Sequence, residues 1–215
     1  EKRGLGAGAE LRHQVGMTSD ILSALALFAF ITSMTPGPNN LMLMASGANY
    51  GFARTVPHML GITFGFMAML VLVGLGLIRV FDAFPVIYTV LKVLSVLYLL
   101  FLAYKIATAG PAQQAAAAGR PMSFLQAAGF QWVNPKAWAF ALSIITIYVP
   151  NADFGPLLIT ACVVALMAFP SVTLWTVLGK EMARFLTNPR RLRVFNWTMA
   201  ALLVASLLPV LWPAT

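Results

Sequence analysis

"ITSMTPGPNNLMLMASG", residues 31–47, sets two prolines, a glycine and two adjacent asparagines inside a stretch otherwise as apolar as a membrane span. Proline fixes φ and carries no backbone N–H, and an asparagine in hydrocarbon costs free energy unless it finds a partner. Irregular backbone persists at membrane depth only where it is buried in protein or lines a cavity. The stretch therefore predicts a spanning helix broken on purpose, with its break facing the interior of a bundle.

The rest of the 215 residues fits that frame: 60% are hydrophobic, 9% are charged and the mean hydropathy is +0.84, against about 25% charged in ordinary soluble domains. Apolar residues come in runs of roughly 20, the length an α-helix needs to cross about 30 Å of hydrocarbon, and not in the alternating segments of about ten residues that build a barrel. Six spans are predicted, at about 21–46, 55–79, 84–106, 123–149, 156–179 and 194–213. The first 16 residues, "EKRGLGAGAELRHQVG", read as a flexible extension before Met17, and "AGPAQQAAAAGRP", 109–121, as a linker between two halves, about 17–108 and 122–215. A single cysteine excludes an internal disulfide, and the two histidines have no metal-ligand spacing, so neither a metal nor another cofactor is expected.

The net charge of +8 is read as topology and lipid contact rather than as a nucleic-acid surface. Arg54, Lys105, Arg120, Lys180, Arg184, Arg190, Arg191 and Arg193 fall after the first, third and fifth spans, whereas the other side holds Arg79 and, in the extension, Lys2, Arg3 and Arg12. The positive-inside rule puts the eight-residue side in the cytoplasm and both termini outside.

Within the first break, Pro36 and Pro38 leave the carbonyls of Thr32 and Met34 without their helical donors. Thr35 reads as the cap of a new half-helix with Pro36 at its first position, and Gly37, Asn39 and Asn40 follow. The alternative is a packed proline kink. A second anomaly, "FQWVNPKAWAF", places Asn134, Pro135 and Lys136 about a dozen residues into the fourth span, where Pro135 frees the carbonyl of Gln131. A lysine there costs about 2.5–3.5 kcal/mol on insertion scales and reads as functional, unless its stem snorkels to the cytoplasmic surface. The breaks occupy the first helix of each half, and sliding residue 38 onto 135 lays span two near span five and span three near span six. The predicted fold is thus an all-α membrane protein of six transmembrane helices, two inverted three-helix repeats with broken first and fourth helices, as in transporters whose breaks meet at the midplane.

Other residues read more plainly. Lys92 snorkels outward, His58 is interfacial or hydrogen-bonds locally with a proton relay as the sharper alternative, and Cys162 is a small packed residue. Pro170 gives a kink or a hinge, Trp132 and Trp138 lie too deep for an aromatic belt and pack against the site at the breaks, and Trp212 suits an outer aromatic belt.

Taken together, "TPGPNN", "GANYGFARTVPHMLGITFG", "LKVLSVLYLLFLAYKIATA", "QWVNPKAWAF" and "LGKEMARFLTNPRRLRVFN" resemble the LysE/RhtB family of amino-acid exporters from about Met17 onward. "AYKIAT", "RPMSF" and "FQWVNPK" look closest to the branch containing cysteine and O-acetylserine exporters. Ser95 and the pair Ala103–Tyr104 stand where many members have glycines, which bears on the packing of span three. The resemblance implies a secondary transporter of the bacterial inner membrane that exports small amino acids or related metabolites, coupled to protons, in a chain that allows a homodimer.

The residues themselves suit a zwitterion site, with a carboxylate at the half-helix ends near Thr35 and Asn134 beside Lys136, and an ammonium on the carbonyls of Thr32, Met34 or Gln131. No carboxylate lies in a span core to pair with a cationic side chain, so a small neutral solute is expected. A passive channel is the alternative; an intramembrane enzyme would need an acid and a base within reach, and Cys162 and His58 lie on different helices.

Overall fold

A computed structural model of the chain describes residues 18–77, 79, 83–109, 120–149 and 153–208. The expected extension 1–16, the middle of the expected linker at 110–119, and Trp212 lie outside them. The regular elements among the described residues are all helical, with no strand among them.

Four of the helices begin at a side-chain cap, and the others at glycine, proline or an uncapped turn. Helix α1, Ser19–Met34, starts at Thr18, whose hydroxyl accepts from the Ile21 N–H at 3.4 Å. Helix α2, Pro38–Tyr50, has Pro38 at its first position behind Gly37, and the pair α1 and α2 is bent by 56°. Gly51, at φ +79°, turns the chain into α3, Phe52–Leu72, which ends in a π-helical turn, Val73–Leu77, where Gly76 sits at φ +107°. These two left-handed positions need glycine. Helix α4 is Val86–Ala107. Helix α5, Phe124–Phe130, opens on a capping box in which the Ser123 hydroxyl and the Gln126 side chain each accept the other's backbone N–H, at 3.2 and 3.0 Å. A single 3₁₀ turn, Gln131–Val133, then leads into α6, Pro135–Tyr148, capped by Asn134. Helix α7, Phe154–Ala183, runs without interruption through Pro170, and α8, Pro189–Ala205, is capped by Asn188.

Phe52–Leu77, Thr89–Ala107 and Phe154–Ala183 are long and apolar enough to cross a membrane, and the bent pair Ser19–Met34 and Pro38–Tyr50 makes a fourth such unit. The fourth and sixth expected spans are helical but shorter in their described parts, the fourth because Pro135 divides it into α5 and α6. The sixth helix starts five residues earlier than expected because Asn188 and Pro189 form a strong start signal, so Arg190, Arg191 and Arg193 lie in its first turns and not in a loop. Lys180 likewise belongs to the last turn of α7.

Helix α7 is the hub, packing on α1, α2 and α3, while α3 lies along α5 and α4 along α8. Glycines allow the closest approaches. A Cβ at Gly47 would stand 2.2 Å from the Thr176 carbonyl oxygen, and one at Gly179 would stand 2.0 Å from that of Met44, so α2 and α7 meet backbone to backbone. Gly61 and Gly65, spaced as a GxxxG pair, do the same for α3 against Phe124 and Ala128 of α5. Leu99, Leu102, Phe195, Met199 and Leu203 fill the layer between α4 and α8, and Leu25, Phe66, Met69, Ile144 and Val164 the layer among α1, α3, α6 and α7.

Two expectations about orientation are corrected. Cys162 is exposed on the outer face of α7 instead of packed, a place a soft thiol tolerates in hydrocarbon. His58 is 1% exposed and neither ring nitrogen has a hydrogen-bond partner, so it is buried in the bundle and is not a local hydrogen-bonder.

Candidate functional site

The first break keeps its freed carbonyls covered. Thr35 terminates α1 instead of capping α2: its N–H still bonds the Ile31 carbonyl at 3.1 Å, and its hydroxyl turns back to the Thr32 carbonyl at 2.6 Å. The half-helix that follows starts two residues later than expected, at Pro38, because Gly37 and not Thr35 occupies the cap position. The Met34 carbonyl receives the Trp175 indole N–H at 3.4 Å, and that of Ser33 receives Asn40 Nδ2 at 2.8 Å and the Ser171 hydroxyl at 2.6 Å. Asn40 also bonds the Thr35 carbonyl at 2.9 Å. Thr32 and Met34 therefore spend their carbonyls on the protein's own donors, which corrects the expectation that they are left for a bound ammonium group. Ser171 and Trp175, one turn apart on α7, went unrecognised in the sequence, where nothing marks a distant hydroxyl or indole as the partner of a broken helix.

The second break is closed more locally. The Gln131 carbonyl accepts the Asn134 N–H at 3.3 Å, completing the 3₁₀ turn, and the Asn134 side chain accepts the Lys136 N–H at 3.1 Å as the cap of α6. Trp138 donates to the Trp132 carbonyl at 2.8 Å with the two rings edge to face at 6.0 Å, so both tryptophans clasp this turn and do not line the cavity described below.

Side chains join the two breaks directly. Asn39 Nδ2 donates to Gln131 Oε1 at 2.9 Å and Gln131 Nε2 returns to Asn39 Oδ1 at 3.3 Å, an amide pair between residues 92 positions apart. The Lys136 ammonium donates to the Thr35 carbonyl at 2.7 Å and to its hydroxyl at 3.1 Å. Lys136 thus reaches across to the first break and does not snorkel to the surface. Gly37 makes that reach possible: its backbone is extended, at φ −168°, which any residue adopts, but a Cβ would lie 2.7 Å from Lys136 Cδ. Gly37→Ala is accordingly expected to fold as well as the parent while displacing the ammonium, lowering transport per folded molecule severalfold; unchanged transport in proteoliposomes would show that the position of Lys136 is immaterial.

These groups surround one cavity of about 560 Å³ counting its opening. Thr32, Gly37, Asn39, Asn40, Gln131, Asn134 and Lys136 line it, as does Ser171, whereas Met34, Thr35, Pro36, Pro38 and Pro135 shape the breaks from behind. Much of the remaining lining is apolar, with Ile62, Phe66, Phe140, Val164 and Val172. No side chain caps α2, so the first-turn N–H groups of Asn39 and Asn40 and the positive end of the helix lie in the polar wall beside the Lys136 ammonium. No carboxylate lines the cavity. A bound solute therefore meets positive charge, amides and hydrocarbon within one space. Among the described residues no group of three or more His, Cys, Asp or Glu is placed to hold a metal ion.

A family model described as LysE type translocator matches residues 30–208. A cysteine/O-acetylserine efflux protein of Klebsiella pneumoniae is 30% identical over 194 residues, covering 87% of this chain and 95% of that protein. Proteins of the same description from Salmonella typhimurium and Escherichia coli are 33% and 32% identical over 135 residues, 62% of this chain and 68% of theirs. No solved structure matches the chain.

Proposed function

We propose that this chain, which belongs to the LysE type translocator family, exports small neutral amino acids or closely related metabolites from the cytoplasm through the cavity at its two helix breaks. It is a multi-pass membrane protein, and both the family and the efflux relatives point to a transporter rather than an enzyme. The observation that carries the proposal is the junction of two breaks 97 positions apart, Pro38 against Pro135, around a single cavity with amides, an ammonium and a helix end on one wall.

In this reading the solute's carboxylate sits against the Asn39 and Asn40 N–H groups and the Lys136 ammonium, its own ammonium meets the amide oxygens of Asn39, Gln131 or Asn134, and its side chain rests on Phe66, Phe140 and Val164. Cysteine, O-acetylserine, serine and threonine fit such a wall. Lysine and arginine do not, because a second positive charge would lie in low dielectric beside Lys136 with no carboxylate to pair it. The two halves, related as inverted repeats of three spans each, rock about the breaks, and an inward proton drives the outward solute. The eight basic residues of one face mark the cytoplasmic side of a bacterial inner membrane, with both termini outside.

Counterflow into proteoliposomes with a panel of labelled amino acids, with and without a pH gradient, tests substrate and coupling together. Faster exchange of lysine or arginine than of cysteine, serine or O-acetylserine would overturn the substrate class. A passive channel predicts bilayer currents far above carrier turnover and no counterflow.

A further inference from the structure

A second cavity, about 680 Å³ counting its opening, lies beyond the first along the same two helices. The first takes Asn39 and Asn40 of α2 and Ile62 and Thr63 of α3, and the second takes Met42, Ala45, Ser46 and Asn49 of α2 and His58 of α3, so the two spaces occupy successive turns and share no lining residue. Its mouth carries Lys105 at the end of α4 and Arg120 just before α5, both on the face with the excess of basic residues.

Its polar groups are not alike. Asn49 Nδ2 is held by the Ala45 carbonyl at 2.8 Å and by Asn196 Oδ1 at 3.0 Å, and the Ser46 hydroxyl pairs with that of Thr55 at 2.9 Å. His58 is the exception, 1% exposed, facing this space, with both ring nitrogens lacking any partner. A buried imidazole without a hydrogen bond is a cost that native structures seldom carry without a reason. The remaining titratable groups around it are Tyr50, Tyr98, Lys105 and Arg120; no carboxylate lines the cavity, and among the described residues none forms an ion pair with Lys105 or Arg120. An anionic oxygen complements this set, since an imidazole N–H and two cationic side chains line the space with no carboxylate among them.

We propose that this second cavity is a recruitment site for the carboxylate of the exported solute, drawn in by Lys105 and Arg120 and received by an N–H of His58 before the solute passes along α2 and α3 to the cavity at the breaks. The inference rests on the export reading above. An anionic lipid headgroup offers the same oxygen chemistry, but His58 lies at the buried end of the space, and a headgroup anchored by two acyl chains has further to come than a small free carboxylate.

The chain has two histidines, His13 and His58, so [15N]histidine labelling gives a simple imidazole spectrum. With the full-length protein in phosphatidylcholine nanodiscs, O-acetyl-L-serine is expected to shift the His58 signals saturably, and its methyl ester, which lacks the carboxylate, is not. Lys105→Gln with Arg120→Gln should weaken that response about tenfold, since each removes a charge-assisted contact, and Lys105→Gln alone should weaken it by less; the His58 signals of the free variants report that they are folded. Lys136→Met should leave the response in place, because it alters the other cavity. Absence of a shift while counterflow proceeds normally would overturn this inference and leave the export reading standing. Loss of the shift in Lys136→Met would overturn it too, by showing that the signal comes from the first cavity. A shift produced by phosphatidylglycerol alone, with no further effect of O-acetyl-L-serine, would assign the site to lipid and overturn it as well.

Discussion

Lys136→Met is expected to insert and fold at least as well as the parent and to transport about 10- to 100-fold more slowly per folded molecule. The first half of that expectation follows from the cost of the charge. A lysine at membrane depth is disfavoured, by about 2.5–3.5 kcal/mol at the centre of a span on insertion scales, and methionine fills about the same volume without the charge. The second half follows from where the ammonium sits. It donates at 2.7 and 3.1 Å to the carbonyl and hydroxyl of Thr35, on the wall where the solute's carboxylate is proposed to bind. A hydrogen bond to a charged group is worth about 1.5–3 kcal/mol, and each 1.4 kcal/mol is about tenfold. Lys136→Arg should not restore transport, because the stem of Lys136 runs through the gap left by Gly37, too tight for a planar guanidinium with its own donor geometry. Counterflow normalised to monodisperse protein measures both variants. Parental rates in Lys136→Met would remove the ammonium from the site and return it to helix packing.

The breaks themselves were legible because proline's missing N–H is a property of one residue. Pro36, Pro38 and Pro135 announce lost donors wherever they stand, and Asn134 beside Pro135 carries its cap signal in sequence. The two ends of the amide pair, Asn39 and Gln131, were each identifiable as polar residues in an apolar run, though not as partners, since nothing in two strings 92 residues apart fixes their register. What closes the first break lay further out of reach. Ser171 and Trp175 read as ordinary residues of a long apolar helix, and only the docking of α7 against α1 brings them to the Ser33 and Met34 carbonyls. The directions taken by His58 and Cys162 have the same origin: a helix of mixed apolar faces does not declare which face meets lipid, and burial of the one and exposure of the other are decided by neighbours. The glycine contacts did carry a signal. Gly61 and Gly65 keep the GxxxG spacing that lets transmembrane helices touch, and counting small residues at that spacing would have placed α3 against a partner.

The largest effect on the fold itself should come from Gly179. Gly179→Val is expected to abolish recovery of folded protein, while Gly155→Ala, at a position where a Cβ meets nothing within 4 Å, should be silent. At Gly179 a Cβ would lie 2.0 Å from the Met44 carbonyl oxygen, 2.8 Å from its carbon and 3.0 Å from the Ala48 nitrogen. All three are backbone atoms of α2, so no side chain can swing aside and the two helices must separate. Gly47 faces the Thr176 carbonyl in the reciprocal contact, so the two backbones approach closely at a second point as well. Overpacking a core costs about 1–3 kcal/mol when side chains can adjust, and here the loss includes the dispersion contacts of the whole α2–α7 interface, in a bilayer that supplies no hydrophobic force to press helices together. Separation would also draw Ser171 from the Ser33 carbonyl, which would keep only Asn40, and Trp175 from the Met34 carbonyl, leaving that group unsatisfied at membrane depth, where an unpartnered group costs several kcal/mol. Gly179→Ala, with the same Cβ but no branches, should show an intermediate yield, and size-exclusion profiles of the three variants in one detergent separate these outcomes. A monodisperse Gly179→Val protein at parental yield would mean that α2 and α7 do not meet backbone to backbone, and the hub position of α7 would have to be given up.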